Sequence, residues 1–154
     1  MSERLTHIDK QGKASMVDVS MKPMLRRTAV AQGIFNASKS TLDALMQGDL
    51  PKGEGLAVAR IAGIQAAKRC DMLIPLCHPL PLEFVEVTFM RIADTQLQIT
   101  ATTRINARTG IEMEALTAVS IAALTLWDMT KAIDKNLSIE GIHILEKHKE
   151  AVCT

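Results

Sequence analysis

The sequence predicts an α+β fold, an antiparallel four-stranded sheet with helices packed on one face, and three observations predict it. Strand-like alternation is clearest where Leu97, Ile99, Ala101, Thr103 and Ile105 interleave with Gln96, Gln98, Thr100, Thr102 and Arg104, a period of two that sends one set to each face of a sheet. Helical stretches separate the strands, in the order strand, helix, helix, strand, strand, helix, strand. Finally, 154 residues with 47% apolar side chains and a formal charge of +1 suffice for one buried core and exclude a disordered chain. Strand pairs interrupted by helices point to a ferredoxin-like sheet.

Residues 1–15 are polar and read as an arm, and residues 16–154 as a single domain. Alternation from Arg27 to Phe35 suggests the first strand. Ser40 reads as the N-cap of a short helix over Thr41–Met46, with Gly48 near its stop. The linker Gly48–Gly55 holds three glycines and a proline in eight residues. An alanine-rich helix from about Leu56 to Arg69 follows, whose small residues permit close approach to a neighbour. Pro75, Pro79 and Pro81 then stiffen the loop Ile74–Leu82. Val85, Val87 and Phe89 share one face of the next strand, and Asp94 lies near the turn into its partner. A long helix spans about 112–133, and the last strand centres on Ile142 and Ile144. Alanine-rich helices with few aromatics also suit a domain that completes its core by association.

Composition narrows the function. Aromatics total 3% and tyrosine is absent, so base-stacking platforms are scarce, and no basic face is visible; nucleic acid is not an expected partner. No apolar run approaches the roughly 18–20 residues of a membrane span, and Met1–Lys10 lacks the apolar core of a signal peptide. Cys70, Cys77 and Cys153 show no CxxC spacing, which fits a reduced, cytoplasmic protein.

The long helix is the richest candidate for chemistry. Its apolar run is broken by Glu112 and Glu114 at the start and by Asp128 and Lys131 near the end. Acids in a first turn favour the helix dipole, and an Asp–Lys pair three apart forms a surface salt bridge, so each has a plain structural reading. Yet charge within an apolar stripe is costly unless paired or used. Glu114 and Asp128 are also separated by about 21 Å at the helical rise. If both ends are catalytic, a pocket shared between subunits is required.

Outside that helix, His78 is held between prolines in Leu76-Cys77-His78-Pro79-Leu80, either as a structural histidine or as an aimed imidazole. No second Cys/His pair follows at ligand spacing, so a zinc site is not expected. Lys52 precedes a helix start among glycines, where it is either solvated or an anion ligand. Arg27, Arg104 and Arg108 are further anion candidates. Asp18, between Val17 and Val19, reads as an Asx-turn acid.

The blocks Met16–Ser20 (MVDVS), Ala62–Lys68 (AGIQAAK), Leu73–Leu80 (LIPLCHPL) and Thr109–Ser120 (TGIEMEALTAVS) closely resemble the cyclic pyranopterin monophosphate synthase family, the C proteins of molybdenum-cofactor biosynthesis. The likeness runs in register from about Leu5 to Lys147. It implies a ferredoxin-like lyase that converts 3′,8-cyclo-7,8-dihydroguanosine triphosphate to cyclic pyranopterin monophosphate and pyrophosphate. It also implies a homohexamer, a trimer of dimers with the active site at a subunit interface. Carried over position by position, the catalytic groups fall on Asp128, Lys131 and Lys52. Substrate contacts fall on Leu76, Cys77, His78, Met113 and Glu114, with Glu112, Arg27 and Arg108 beside them. No tightly bound cofactor is implied, and Mg²⁺ is expected at most as a companion of the triphosphate.

Two stretches depart from the family pattern. Its Lys-Gly-Asp loop reads Lys52-Gly53-Glu54 here, and its Gly-Gly-Lys-Ser-Gly tail is replaced by Lys147–Thr154. The competing reading is a non-catalytic oligomeric module that binds a nucleotide or anion; it needs the cations but gives no reason for the Asp128–Lys131 pair.

Overall fold

The strict alternation of Gln96–Ala107 becomes a strand in which every second side chain, from Leu97 to Ala107, is buried. In the computed structural model, which describes residues 7–152, this is β3. The full order is β1 (Leu25–Asn36), α1 (Lys39–Gln47), α2 (Gly55–Lys68), α3 (Cys70–Leu73), β2 (Phe84–Ala93), β3 (Gln96–Ala107), α4 (Glu112–Thr130) and β4 (Ser138–Ala151). The strands form one antiparallel sheet in the order β2-β3-β1-β4. This is the expected α+β, ferredoxin-like arrangement. β1 and β3 pair along their whole lengths, Leu25 opposite Ala107 and Asn36 opposite Gln96.

The core lies between one sheet face and the helices. Phe35, Leu97, Ile99 and Ile105 meet Ile111, Val119 and Leu126, all essentially without solvent exposure. Small residues set the spacing. A Cβ on Gly33 of β1 would stand 2.9 Å from Val119 Cγ1, so α4 rests directly on the strand backbone there. On Gly63 of α2 it would stand 2.9 Å from the Ala118 carbonyl oxygen and 3.3 Å from Ala122 Cβ. Gly63, with buried Ala59, Ala66 and Ala67, gives the close α2–α4 approach that the alanine-rich sequence predicts.

Several boundaries differ from the sequence reading. The N-cap of α1 is Ser38, not Ser40, because Ser38 Oγ accepts from Thr41 N at 3.2 Å. Gly48 closes that helix with φ 73°, a backbone region that favours glycine. α4 ends at Thr130 rather than 133. Ile133 N and Asp134 N both turn back to the Thr130 carbonyl, while the buried Asp134 carboxylate accepts from Ser38 N at 2.8 Å and Thr41 Oγ1 at 2.9 Å. This carboxylate ties the exit of α4 to the start of α1. A short helix, α3, follows α2, and Leu25 and Asn36 extend the first strand. β4 runs on to Ala151, opposite Leu25, so Lys147–Ala151 continue an edge strand. Of the expected arm, residues 7–15 form a small turn closed by an Ile8–Ala14 bridge; residues 1–6, like Cys153, lie outside the described residues.

Candidate active site

Two clusters of the expected residues form, one at each end of α4. At its N-terminal end a cleft of about 340 Å³ opens between the proline-stiffened loop, the turn before α4 and the segment ahead of β1. Its walls include Leu76, Cys77, His78, Glu112, Met113 and Glu114, all read from the sequence as substrate contacts. Val17, Val19, Lys22 and His7 also line it.

The imidazole of His78 is oriented by the chain ahead of β1. Its Nε2 lies 2.7 Å from the Val17 carbonyl oxygen. A carbonyl can only accept, so Nε2 carries a proton and donates. Asp18 Oδ1 accepts from Ser20 N at 2.9 Å, which is the expected Asx-turn.

The two glutamates of the cleft are held differently. Burial pushes the Glu112 carboxyl up, but a hydrogen bond from Lys147, its own backbone N–H and the nearby Lys147 and Arg27 charges outweigh this. The net result is a carboxylate below its usual range, ion-paired with Lys147 of β4. Gly110 makes room for it, since a Cβ there would collide with the Glu112 carboxylate. Glu114 is 3% exposed, and burial raises its carboxyl, with the Glu112 and Asp71 charges adding to the rise. One cleft therefore holds an ionised acid and an acid biased toward its neutral form. The Cys77 thiol is pushed up to about 12 by burial and by neighbouring Cys70. It stays protonated at neutral pH and is no nucleophile.

At the other end of α4, Asp128 lies between two lysines. Lys131 Nζ is 2.7 Å from Oδ1, and Lys52 Nζ is 3.0 Å from Oδ2. Lys52 also donates to the Asp128 carbonyl at 2.9 Å, satisfying one of the open acceptors of the final turn. Hydrogen bonds from Lys131 and then Lys52, with their charges, hold the Asp128 carboxyl below its usual range. All three side chains are about half exposed, so the cluster sits open at the surface.

The structure does not bring the two clusters together within one chain, because α4 separates them. Nor does it place the two arginines in the cleft wall. Arg27 Nε donates to the Ala107 carbonyl at 3.1 Å and Nη2 to that of Arg108 at 3.3 Å, so Arg27 braces the end of β3, and Arg108 is exposed. Arg104 stacks on the Phe84 ring at 4.5 Å. Among the described residues no three His, Cys, Asp or Glu side chains converge as a metal set. Lys147 and Lys22 escaped the sequence reading. The first needs the β4 register; the second had a signal in its place four residues after the valine-flanked Asp18.

The model of the MoaC family matches residues 16–150. The chain belongs to the MoaC family. Among the relatives of this MoaC-family chain, cyclic pyranopterin monophosphate synthase of Novosphingobium aromaticivorans is 54% identical over 143 residues, covering 93% of this chain and 90% of the relative. The protein of that name from a Nostoc species is 54% identical over 149 residues, 95% of this chain and 88% of its own. Cyclic pyranopterin monophosphate synthase 2 of Mycobacterium tuberculosis is 52% identical over 146 residues, 95% and 87% respectively. No helix among the described residues is long and apolar enough to cross a membrane.

Proposed function

We propose that this chain catalyses the reaction for which those relatives are named, converting 3′,8-cyclo-7,8-dihydroguanosine triphosphate to cyclic pyranopterin monophosphate with release of pyrophosphate. The observation that carries the reading is the joint presence, in a chain more than half identical to them along nearly its whole length, of a shaped cleft and a Lys52–Asp128–Lys131 cluster.

Opening the five-membered ring of the base and rebuilding it as a six-membered ring requires several proton transfers. Lys131 and Lys52, bridged by Asp128, are the groups proposed to carry them. Asp128 holds both ammonium groups at one point, so loss of a proton from either lysine leaves the other to keep the carboxylate paired. Glu114, His78 and the loop at Leu76–Cys77 would hold the purine-derived part of the substrate. Closing the cyclic phosphate forms a new oxygen bond to the α-phosphorus as the bond to the departing pyrophosphate breaks, with Mg²⁺ arriving on the phosphates rather than on a protein site.

A single chain offers the cleft and the lysine cluster about 21 Å apart along α4. We therefore place the working site between subunits, with the cleft of one protomer facing the Lys52–Asp128–Lys131 end of another, within a hexamer. Exposed Val58, Ile61, Met72, Leu73, Leu124 and Trp127 on the helical side of the molecule are an apolar surface suited to such burial. A biosynthetic enzyme of this kind belongs in the cytoplasm, where its nucleotide substrate is made.

The test is turnover of the cyclic dihydro-GTP intermediate, following pterin product and pyrophosphate together, in the intact protein and in Lys131→Ala. Turnover should fall by at least about a hundredfold in the variant. An intact protein that binds the intermediate and does not convert it would instead make the chain a binding module.

A further inference from the structure

Two carboxylates are buried among the described residues, Glu114 in the cleft and Asp134 beyond the exit of α4. The proposed chemistry does not use the second, and none of the ion pairs among the described residues includes it. Hydrogen bonds, that from Ser38 N foremost, hold its carboxyl below the usual range despite its burial. A buried charge without a counter-ion is costly, and here its hydrogen bonds alone offset the cost.

Those bonds gather three segments. Oδ2 accepts from Ser38 N at 2.8 Å and Thr41 Oγ1 at 2.9 Å, at the head of α1. Oδ1 accepts from Asn136 N at 2.9 Å, on the way to β4. Asp134 N binds the Thr130 carbonyl at 3.1 Å and closes the turn that carries Lys131. From its head, α1 runs nine residues, with Leu42 and Leu45 buried, to the loop that holds Lys52. Lys52 then returns to the carbonyl and carboxylate of Asp128. The loop is closely seated, since a Cβ on Gly55 would stand 2.8 Å from Leu50 Cδ1 and 3.7 Å from Met129 Cβ. Thus α1 and its loop form a brace fastened twice to the end of α4, by Asp134 at the head and by Lys52 at the foot.

The foot alone is a weak fastening. Lys52, Asp128 and Lys131 are about half exposed, and ion pairs in such a setting hold little against solvent and side-chain entropy. The buried head is what can set the geometry. We propose that Asp134 is a positioning residue for the lysine cluster: by pinning α1 and the Lys131 turn to the end of α4, it makes both ammonium groups converge on Asp128. This rests on the reading of that cluster as the centre of proton transfer.

The experiment compares the full chain as wild type, Asp134→Asn and Thr41→Val, with thermal melts of each. The asparagine variant keeps the shape but turns an amide donor toward a backbone N–H. The valine variant removes one bond to the same carboxylate and leaves the acid in place. Two quantities are read well below the melting transition: turnover of the cyclic dihydro-GTP intermediate, and acetylation of Lys52 and Lys131 in a short pulse of acetic anhydride. Labelling is followed by mass spectrometry relative to exposed Lys68. In Asp134→Asn, kcat should fall about tenfold or more with KM within about threefold of wild type. Both cluster lysines, freed from Asp128, should label about two- to fivefold faster. Thr41→Val should move both readouts the same way by less, and it decides the matter if the asparagine variant does not fold. A structural role alone would lower the melting temperature and leave both readouts where they are. Lysine labelling or kcat unchanged in these variants would therefore overturn the proposal. Faster labelling in the variants, with no turnover by wild type, refutes the synthase reading and leaves the positioning role standing; turnover by wild type with labelling and kcat unchanged in the variants does the reverse.

Discussion

Glu114 and Glu112 are two positions apart on one helix and have opposite electrostatic fates, because one is buried against other acids and the other is answered by Lys147. That contrast has a measurable sign. The folded state raises the Glu114 carboxyl above its ordinary value of 4.5, so the native protein binds the proton more tightly than the unfolded chain does. Its contribution to stability is therefore most favourable at low pH, and declines as pH rises from 4.5 through the raised folded value. Glu114→Gln removes this dependence. In urea unfolding at pH 4 to 8, the stability of the variant relative to wild type should climb with pH and level off once Glu114 is ionised in both states. The depressed carboxyls, Glu112, Asp128 and Asp134, act at the acid end: they stabilise above their unfolded values and lose that contribution as pH falls. Asp128 and Asp134, at the far end of α4, are common to both proteins and cancel in the difference, while Glu112, which is coupled to Glu114, contributes only below the ordinary carboxylate range. A difference that is flat across the range would show that Glu114 is not held in the environment described.

At the scale of elements, the contact between α2 and α4 depends on a missing side chain. Gly63→Ala would gain about 1 kcal/mol of helix propensity in an open helix. Here the new Cβ meets a backbone oxygen, Ala118 O, at 2.9 Å, and backbone cannot rotate aside as a side chain can. Overpacking of this kind costs roughly 1–3 kcal/mol, so the variant should be destabilised despite its better propensity, by about 1 kcal/mol in chemical denaturation. A stabilised variant would mean that the helices do not approach so closely. The close approach was legible in the sequence as an alanine-rich face, and β3 was legible because one of its faces is dry and the other wet. β4 was only half legible. It is an edge strand, largely exposed from Glu140 to Ala151, and no burial imposes alternation on Lys147–Glu150. For the same reason the Lys147–Glu112 pair could not be read, since it depends on a register set by hydrogen bonds to β1 rather than by local sequence. The shift of the cap from Ser40 to Ser38 has a related origin. Three positions, Ser38, Ser40 and Thr41, all offer a hydroxyl, and a distant acid, Asp134, decides among them by binding Ser38 N and Thr41 Oγ1.

For the whole molecule, the geometry of α4 turns the proposed assembly into a functional requirement. A straight helix of 19 residues holds its two ends apart, so a protomer cannot fold its own Lys131 into its own cleft without breaking the core that Val119, Ala122 and Leu126 form against the sheet. Two protomers related by a twofold axis meet the requirement directly, because such an interface lets each give what the other lacks. Complementation between inactive variants checks this. His78→Ala damages the cleft end and Lys131→Ala the lysine end, and each alone should be nearly inactive. When the two are co-expressed and assemble at random in equal amounts, about a quarter of the shared sites draw an intact cleft from one chain and an intact lysine cluster from the other. Activity should recover toward that fraction of wild type, whereas mixing the separately purified proteins without subunit exchange should restore nothing. If every site were built within one chain, each would carry one lesion or the other and co-expression would give no recovery at all. Recovery would therefore place the chemistry between subunits, and would explain why an isolated protomer leaves Asp128 and its two lysines open at the surface.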